Sequence, residues 1–358
     1  MPAPRYAIRK DPMPKVSTFQ IFWTKLTQWE YWPFSIFYFP VFPYYAWLVL
    51  KCRSLFFFTA SNPNIDFGGM MGEKKSEIFD QIPSQYLPAT VLIDQGDQEK
   101  AIQVASKIGY PIIAKPDIGE RGIWVKKIKS EAELTAYANS CPVNFLLQEL
   151  VEYPVELGVF YVKFPNEKGK VTSIVRKEFL AVKGDGQSTV NQLLQQNHRA
   201  LLTADLESEY LKQIGNNIPN KDEMVQVEPI GNHCKGTMFL DDNHEIDDSL
   251  DDAFNILSDQ IPNFHFGRFD LRCASVSDLR NLKNFKILEL NGAGAEPAHI
   301  YQPGSSLLKA YKSIIWHLRA LADISIQNQK RGFPYWGFKQ GYQKWKDHQR
   351  HNRLLSES

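Results

Sequence analysis

The sequence contains little cysteine, and its four cysteines lie far apart, at positions 52, 141, 234 and 273. No two of them have the spacing of a metal-ligand pair or a redox motif, so we expect reduced thiols in a cytosolic setting. A charge excess is also missing, because 41 Lys and Arg residues nearly balance 40 Asp and Glu residues. Without a strong net charge there is no general attraction for nucleic acid, and we expect no nucleic-acid partner.

Low-complexity tracts and internal repeats are absent as well, which excludes fibrous and repeat architectures. The 358 residues are enough for two or more domains with substantial cores. Hydrophobic residues make up 43% and charged residues 23% of the chain, close to the averages for globular proteins. The composition therefore indicates an ordinary globular protein with a full core.

One stretch lacks charge altogether, since residues 31–50 read YWPFSIFYFPVFPYYAWLVL. A run of this length could cross a membrane as a helix, but its three prolines argue against one straight helix. The density of Trp and Tyr favours a segment lying at a membrane interface. Basic residues flank the stretch, at Lys25, Lys51 and Arg53. The alternative is a hydrophobic arm packed against the rest of the protein.

The other end of the sequence has an excess of positive charge. Residues 330–358 hold seven Lys or Arg and two acids, with aromatic residues interleaved. Such a segment is either a second membrane-surface element or a docked helix with a solvated basic face. Both interpretations remain open at the level of the sequence.

Two short apolar runs, FGRFDL and ILELNG, carry polar side chains at alternate positions. Successive side chains of a strand point to opposite faces, so Arg268 shares a face with Asp270, and Glu289 with Asn291. If the two strands pair as antiparallel neighbours, the four side chains converge. Oxygen ligands of this kind suit Mg²⁺, and the Arg beside them can hold a phosphoryl or carboxylate oxygen. The alternative is an ordinary buried network of ion pairs.

Two further segments are weaker signals. In YPIIAKPDIGERG, Lys115 ends an apolar run and precedes a loop with Gly119 and Gly122, where a lysine and backbone amides could meet phosphate; a surface hairpin explains it as well. Glu149 and Glu156 lie on either side of a turn and could hold the edge of adenine and the ribose hydroxyls; solvated acids at the strand edges explain them as well.

Taken together and in this order, these segments resemble the ATP-grasp ligases, above all D-alanine–D-alanine ligase and cyanophycin synthetase. GRFDL followed by ILELNGAGAEP is similar to the ligase pattern, and VKGDGQSTVNQLL is similar to a segment of cyanophycin synthetase. The resemblance covers residues 73–325 and implies an α+β fold in which two subdomains grip ATP between antiparallel sheets. An aromatic N-terminal segment, residues 1–72, would precede this domain, and a basic aromatic tail, residues 326–358, would follow it.

The resemblance also implies roles for individual residues. The ATP phosphates would meet Lys115, Lys75 or its neighbour Lys74, and the loop from Gly119 to Gly122; Arg176 or Lys177 is a further phosphate candidate. Adenine would lie against Glu149 with the backbone of Leu150 and Val151, and the ribose against Glu156. One or two Mg²⁺ (or Mn²⁺) ions would bind Asp270, Glu289 and Asn291, with Arg268 as the catalytic residue that stabilises charge during transfer.

The implied activity is ATP-dependent ligation of a carboxylate to an amine, or to a thiol, through an acylphosphate. We expect small-molecule or lipid-linked substrates near the loop that holds Glu296, His299 and Tyr301, in a cytoplasmic protein. Peripheral membrane contact and a homodimer are left open, as is a non-catalytic ATP-binding regulatory module. D-alanine is not the expected substrate, because the aromatic segment stands where those ligases carry a Rossmann-like domain.

Overall fold

The structure, a computed structural model, describes residues 23–24, 26–120, 122–203, 208–227 and 236–357. Its contacts divide into two units. The smaller one combines the residues up to Trp32 with Phe179–Thr237, and the larger one combines Pro33–Glu178 with Met238–Ser358. Every predicted site residue falls in the larger unit, whereas Cys234 lies outside the described residues.

Sheet A of the larger unit has four antiparallel strands in the order β1-β4-β2-β3. They are β1 (Thr90–Ile93), β2 (Ile112–Pro116), β3 (Lys126–Ile128) and β4 (Phe145–Glu149). Two helices of the same unit are α4 (Gln98–Ile108) and α5 (Glu131–Ser140). Asp97 and Ser130 cap their first turns, which explains why the helices begin where they do. Both helices pack on the face of the sheet that carries Ile112 and Leu147.

Sheet B has five antiparallel strands in the order β11-β10-β5-β6-β9. They are β5 (Val155–Val162), β6 (Lys170–Glu178), β9 (Met238–Asp241), β10 (Phe266–Cys273) and β11 (Phe285–Asn291). One face buries Leu157, Phe269 and Leu290 in a core under α9 (Asp248–Ser258) and α10 (Val276–Arg280). Because side chains alternate along a strand, the residues between them face the other way. The predicted α+β class with antiparallel sheets is confirmed.

The aromatic segment of the sequence is divided into short helices. They are α1 (Phe34–Tyr38), a 3₁₀ turn (Phe39–Val41) and α2 (Phe42–Cys52), with Pro40 and Pro43 in the first turns of the last two. Proline is tolerated there because the first amides of a helix have no intrahelical partner. The inner side of α2 packs with α11 (Leu307–Lys330) in a third cluster that includes Leu48, Phe160 and Leu321.

The remaining elements of the larger unit are α3 (Lys75–Phe79) and α12 (Phe338–Glu357). Further 3₁₀ turns lie at Phe57–Ala60, Asp66–Gly69, Ser84–Tyr86, Asn243–Glu245 and Ala298–Tyr301. The basic tail is thus a helix, and its Leu355 is buried in the core of sheet A. None of the helices in the described part of the chain has the length and apolar character needed to cross a bilayer.

The smaller unit contains β7 (Ala181–Lys183) and β8 (Met224–Gln226), paired antiparallel, with α6 (Val190–Gln196), α7 (His198–Thr203) and α8 (Glu209–Ile214). Its 3₁₀ turn is Trp29–Tyr31. The segment GDGQSTVNQLL forms a turn followed by a capped helix. Asp185 accepts hydrogen bonds from the amides of residues 187 and 188, and Thr189 forms a capping box with Gln192. Elsewhere in the chain, Cys52, Cys141 and Cys273 are free and buried, as expected of reduced thiols.

Candidate functional site

Strands β10 and β11 pair as the sequence predicts. Arg268 lies opposite Asn291, and Asp270 lies opposite Glu289, so all four side chains share one face of sheet B. On the other side of β10, Asp270 faces Gly158 of β5. A Cβ at residue 158 would lie 3.1 Å from Oδ1 of Asp270 and 2.9 Å from Cγ1 of Val175, so glycine leaves room for the carboxylate. We call this surface the charged face of sheet B.

The Asp270 carboxylate is the centre of the charged face. Arg268 donates to both of its oxygens at 2.9 Å, and the Asn291 amide donates to Oδ2 at 3.2 Å. Lys177 Nζ lies 3.6 Å from Oδ1. Burial alone would raise the pKa of Asp270, but the two cations outweigh it and hold the pKa below its usual value. The carboxylate is therefore ionised and tightly held.

Glu156 extends the same pattern along the face. It accepts a hydrogen bond from Arg272 Nε at 2.8 Å and pairs with Lys177 at 3.3 Å. Arg272 also donates to the carbonyl oxygen of Val151 at 2.8 Å. The side chain expected at the ribose and the backbone expected at adenine are thus both bound to one arginine. Arg272 is the third cation of this face, after Arg268 and Lys177. The sequence analysis did not include it, although the alternation Arg268-x-Asp270-x-Arg272 places it on the same side of the strand.

Lys115 reaches the charged face from sheet A. It is 7% exposed, and its Nζ donates to the Leu288 carbonyl at 2.9 Å and to Gln148 Oε1 at 3.0 Å. The strand register shifts next to Leu288, between the pairs made by Asp270 and Leu271. Burial lowers the pKa of Lys115 to about 8, although the nearby Glu289 carboxylate acts in the opposite direction. The two sheets therefore meet at a buried ammonium group.

Lys75 is the second lysine at this junction. Its Nζ donates to the Gly119 carbonyl at 2.6 Å and lies 3.5 Å from Glu289 Oε1. Lys74, the other candidate, pairs with Glu77 at 2.7 Å at an exposed position. The structure thus brings Lys75, Lys115, Glu289 and the start of the glycine loop together.

The glycine loop is held by α12, which sequence reasoning did not connect to it. His351 Nε2 donates to the Ile118 carbonyl at 2.9 Å, and Trp124 Nε1 donates to the Leu355 carbonyl at 3.0 Å. Gly122 has a φ of +72°, a conformation that glycine adopts without strain. Residue 121 lies outside the described residues. Of the two interpretations of the basic tail, a docked helix is what the structure contains.

Two predicted residues lie away from the charged face. The exposed Glu149, the last residue of the inner strand β4, accepts a hydrogen bond from the Ala89 amide at 3.0 Å. Arg176 pairs with Asp242 at 2.6 Å, so of the two phosphate candidates on β6 only Lys177 reaches the face. The sequence shows that Arg176 and Lys177 point to opposite sides of β6, but it does not show which of the two faces Asp270.

A carboxylate that the sequence analysis did not single out stands beside Lys75. Glu73 has a buried Oε2 without a hydrogen-bond partner among the described atoms. Burial raises the pKa of Glu73, and the nearby Glu120 and Glu289 carboxylates add to that effect. Lys75 therefore lies near two carboxylates, Glu73 and Glu289, which are oxygen donors of the kind that a divalent cation takes.

The predicted metal ligands are hard oxygen donors of the type that Mg²⁺ prefers. Glu289 is only partly buried, with 34% of its side chain exposed, whereas the oxygens of Asp270 already accept three hydrogen bonds. Within the described ranges, no group of three or more His, Cys, Asp or Glu is arranged to hold a metal. The predicted set of two carboxylates and an amide is smaller than such a group, and its role stays a prediction.

The loop after β11 joins the charged face to the aromatic segment. Arg268 donates to the Glu296 carbonyl at 3.2 Å. The Glu296 carboxylate accepts hydrogen bonds from Tyr301 at 3.0 Å and from Tyr38 of α1. The Phe37 ring lies 6.1 Å from that of Tyr301. His299, the third residue expected here, instead contacts Ser173 at 2.6 Å. No local pattern points to Tyr38, because it meets Glu296 from 258 positions away.

No family model matches the sequence, and no curated protein matches it. Solved structures do resemble the fold. D-alanine–D-alanine ligase from Bacillus anthracis has a TM-score of 0.41 and 13% identity, over 75% of this chain and 70% of that one. VanG D-Ala:D-Ser ligase from Enterococcus faecalis has a TM-score of 0.41 and 12% identity, over 73% and 62%.

The bifunctional glutathione synthetase from Pasteurella multocida has a TM-score of 0.36 and 15% identity. The match covers 68% of this chain and 35% of the synthetase. Because these TM-scores lie below 0.5, the activity proposed below rests on the site geometry rather than on the likeness. These three solved structures are named as ligases or synthetases, and their likeness to this chain is one of fold.

Proposed function

We propose that this protein is an ATP-dependent ligase that joins a carboxylate to an amine through an acylphosphate. One observation carries the proposal: Lys115 and Lys75 of one part of the fold converge on Glu289 at the edge of the charged face, next to Arg268 and Asp270. Fixed cations on one side and oxygen donors on the other are what a metal-bound nucleoside triphosphate needs.

In this proposal the chain positions the phosphates rather than reacting with them. Lys115 and Lys75 neutralise phosphate oxygens, and the loop from Gly119 to Gly122 contributes backbone amides. Asp270, Glu289 and Asn291 would hold Mg²⁺, which when bound neutralises charge on the phosphate oxygens. Lys177, expected from the sequence as a phosphate candidate, instead fixes the carboxylates of Glu156 and Asp270.

The proposed reaction runs in two balanced steps. A carboxylate oxygen attacks the terminal phosphorus of ATP, the bond from that phosphorus to the bridging oxygen breaks, and ADP leaves. The amine then attacks the carbonyl carbon, the new C–N bond forms, phosphate leaves with the C–O electron pair, and the amine proton passes to solvent. Arg268 would face the carbonyl oxygen on which negative charge develops, and removing such a donor typically lowers turnover about 10²–10³-fold. A thiol acceptor is the less favoured alternative.

The acceptor amine is proposed to bind at Glu296. Its carboxylate is partly buried and accepts from the neutral hydroxyl groups of Tyr38 and Tyr301, but it makes no ion pair with a cationic side chain in the described part of the chain. Arg268 lies near enough to interact with this carboxylate but forms no ion pair with it, so the half-buried negative charge favours a cationic ligand. Aromatic rings of Phe37 and Tyr311, stacked at 5.5 Å, stand nearby and would attract an ammonium group.

One observation favours a second candidate, a module that binds ATP without turning it over. Asp270 and Glu156 are already neutralised by Arg268, Arg272 and Lys177, so part of the charged face could serve stability alone. The two candidates differ in turnover. A ligase releases ADP when it receives a matching acid and amine, whereas a binding module shows ligand-dependent thermal stabilisation without release.

The test is ADP release with Mg²⁺ and ATP across paired carboxylates and amines, including lipid-linked ones. We expect release with at least one pair, and its loss in Glu289→Gln. The control is Asp252→Asn, at an acid whose side chain is 63% exposed. ATP-dependent thermal stabilisation without release for any pair would favour the binding module. Unchanged release in Glu289→Gln would contradict the proposed site.

A further inference from the structure

The outward side of α2 is apolar where a surface helix is normally polar. Leu48 is fully buried, whereas Phe42, Trp47 and Leu50 are 50%, 50% and 75% exposed. The preceding turns continue this surface, since Phe39 is 73% exposed. Scattered exposed apolar residues need no explanation, but a contiguous patch usually marks a contact with another surface.

The outward side of α11 combines apolar and basic residues. Leu308, Ile315 and Trp316 are 73%, 38% and 46% exposed. They alternate with Lys309, Lys312 and Arg319, which are exposed as well. The spacing places these side chains on one stripe of the helix, and the opposite side buries residues such as Ile314 and Leu321.

The two helices lie side by side. Lys51 of α2 pairs with Asp323 of α11 at 2.6 Å, and Tyr311 of α11 donates to the carbonyl of Phe37, in the preceding helix α1, at 3.0 Å. The inner sides of both helices belong to the same core cluster. Their outward sides therefore form one surface, which we call the aromatic–basic face. It comprises Phe34, Ile36, Phe39, Phe42, Trp47, Leu50, Leu308, Lys309, Lys312, Ile315, Trp316 and Arg319.

The charge of this face selects its partner. Residues 34–52 contain no acid, and the only acid of α11, Asp323, is held by Lys51 at 2.6 Å and by Arg319 at 3.6 Å. A second copy of the chain would place this face against itself and bring like charges together. Anionic lipid headgroups are complementary to the lysines, and Trp side chains are favoured at a membrane interface.

We propose that the aromatic–basic face binds the surface of an anionic membrane, with α2 and α11 lying in the interface plane. Their inner sides stay on the core, so only the outward side chains enter the lipid. This inference is independent of the proposed ligase activity, because none of its residues belongs to the charged face of sheet B.

The test is flotation of the full chain with phosphatidylglycerol vesicles and, separately, with phosphatidylcholine vesicles. We expect binding to phosphatidylglycerol that weakens with salt, and at least about tenfold weaker binding in the double variant Lys309→Glu, Lys312→Glu. The double variant Leu308→Ser, Trp316→Ser should bind about tenfold more weakly as well. Matched controls are Lys168→Glu and Ile256→Ser, at side chains that are 86% and 55% exposed.

Failure of the wild-type chain to float with phosphatidylglycerol would overturn the proposal. So would equal binding of the face variants and their controls, with circular dichroism showing all of them folded. Light scattering tests whether a second copy of the chain covers this face instead. A dimer that dissociates in the Leu308→Ser, Trp316→Ser variant, without vesicle binding by the wild type, would assign the face to a second copy instead.

Discussion

The charged face of sheet B and the aromatic–basic face both carry side chains that are unusual for their surroundings. On the first, ions such as Asp270 and Lys177 are buried. On the second, large apolar side chains such as Leu50 and Leu308 are exposed. The difference lies in compensation: each buried acid of the charged face meets a cation of this same chain, whereas the exposed apolar groups are covered by no part of the chain that the structure describes.

Substitutions on the two faces are expected to affect the stability of the fold differently. A compensated buried ion destabilises the fold when its partner is removed, because the remaining charge stays in a poorly solvated place. An exposed apolar residue has little effect on the fold when it is changed, because it has few contacts to lose. Substitutions on the charged face should therefore change the free energy of unfolding strongly. Substitutions on the aromatic–basic face should change membrane binding and leave the free energy of unfolding nearly the same.

The largest effect is expected for Asp270→Asn. It leaves Arg268 and Lys177 without their shared carboxylate, so the free energy of unfolding should fall by about 3–5 kcal/mol. Urea denaturation followed by circular dichroism measures it. Asp252→Asn, at an exposed acid, should change the same quantity by less than about 0.5 kcal/mol. A loss below about 1 kcal/mol in Asp270→Asn would show that the ions of the charged face are solvated.

Lys115→Met should separate binding from stability. It removes a buried charge, and the relief of its desolvation offsets the two lost hydrogen bonds, so unfolding should shift by less than about 2 kcal/mol. ATP binding, measured by isothermal titration calorimetry, should weaken about 10–100-fold because the phosphates lose a charged donor. Lys74→Met is the matched control, since that side chain is exposed and pairs with Glu77. Equal ATP affinity in the two variants would exclude Lys115 from the nucleotide site.

The same lysine predicts opposite pH trends for binding and for stability. Its pKa is lowered from 10.5 to about 8 in the folded chain, so ATP affinity should fall as pH rises through about 8 and the ammonium is lost. Between that pH and 10.5 the unfolded chain binds more protons at this group, so its contribution to the free energy of unfolding rises with pH. Both ATP affinity and the free energy of unfolding should be measured as functions of pH, in the wild type and in Lys115→Met. Persistence of both trends in the variant would assign them to another group.

A smaller effect is expected where α12 holds the glycine loop. His351→Ala removes the donor to the Ile118 carbonyl, a bond of about 0.5–1.5 kcal/mol, so the KM for ATP should rise about 2–10-fold with kcat little changed. The control is His244→Ala, at a side chain that is 72% exposed. If the control raises the KM equally, the contact with α12 does not position the loop.

The smallest effect on folding is expected at the aromatic–basic face. Leu308→Ser should shift the free energy of unfolding by less than about 0.5 kcal/mol, because Leu308 is 73% exposed. Trp316→Ser should shift it by less than about 1.5 kcal/mol, because Trp316 is 46% exposed and loses only part of its contacts. Chemical denaturation in the absence of lipid measures this. A shift above about 2 kcal/mol would mean that the face is packed against another part of the chain, and the contrast with the charged face would disappear.

Local sequence patterns were sufficient to predict the residues of the charged face but not the residues that surround it. The alternation in FGRFDL and ILELNG predicts both strands and their shared face, because a strand fixes side-chain direction within two residues. Arg272 continues that alternation and could have been included. Glu149 could not be placed, because the side on which a strand end points depends on the neighbouring strand.

The long-range contacts had no sequence signal. Tyr38 meets Glu296 over 258 positions, and Trp124 meets Leu355 over 231 positions. Contacts of this kind depend on how whole helices pack, and side-chain periodicity within one helix carries no information about them. The outward basic stripe of α11 joins an apolar surface only because α2 packs beside it, and the sequence does not show that position.

The attachment of the glycine loop to α12 bears on the order in which the protein matures. A growing chain emerges from the ribosome with its early segments first, and sheet A can pair before the later residues exist. The glycine loop nonetheless lacks its contacts with Leu355 and His351 until those residues are synthesised, more than two hundred residues later. The glycine loop of a nascent chain would therefore reach its final conformation only after α12 has been synthesised and has packed against it.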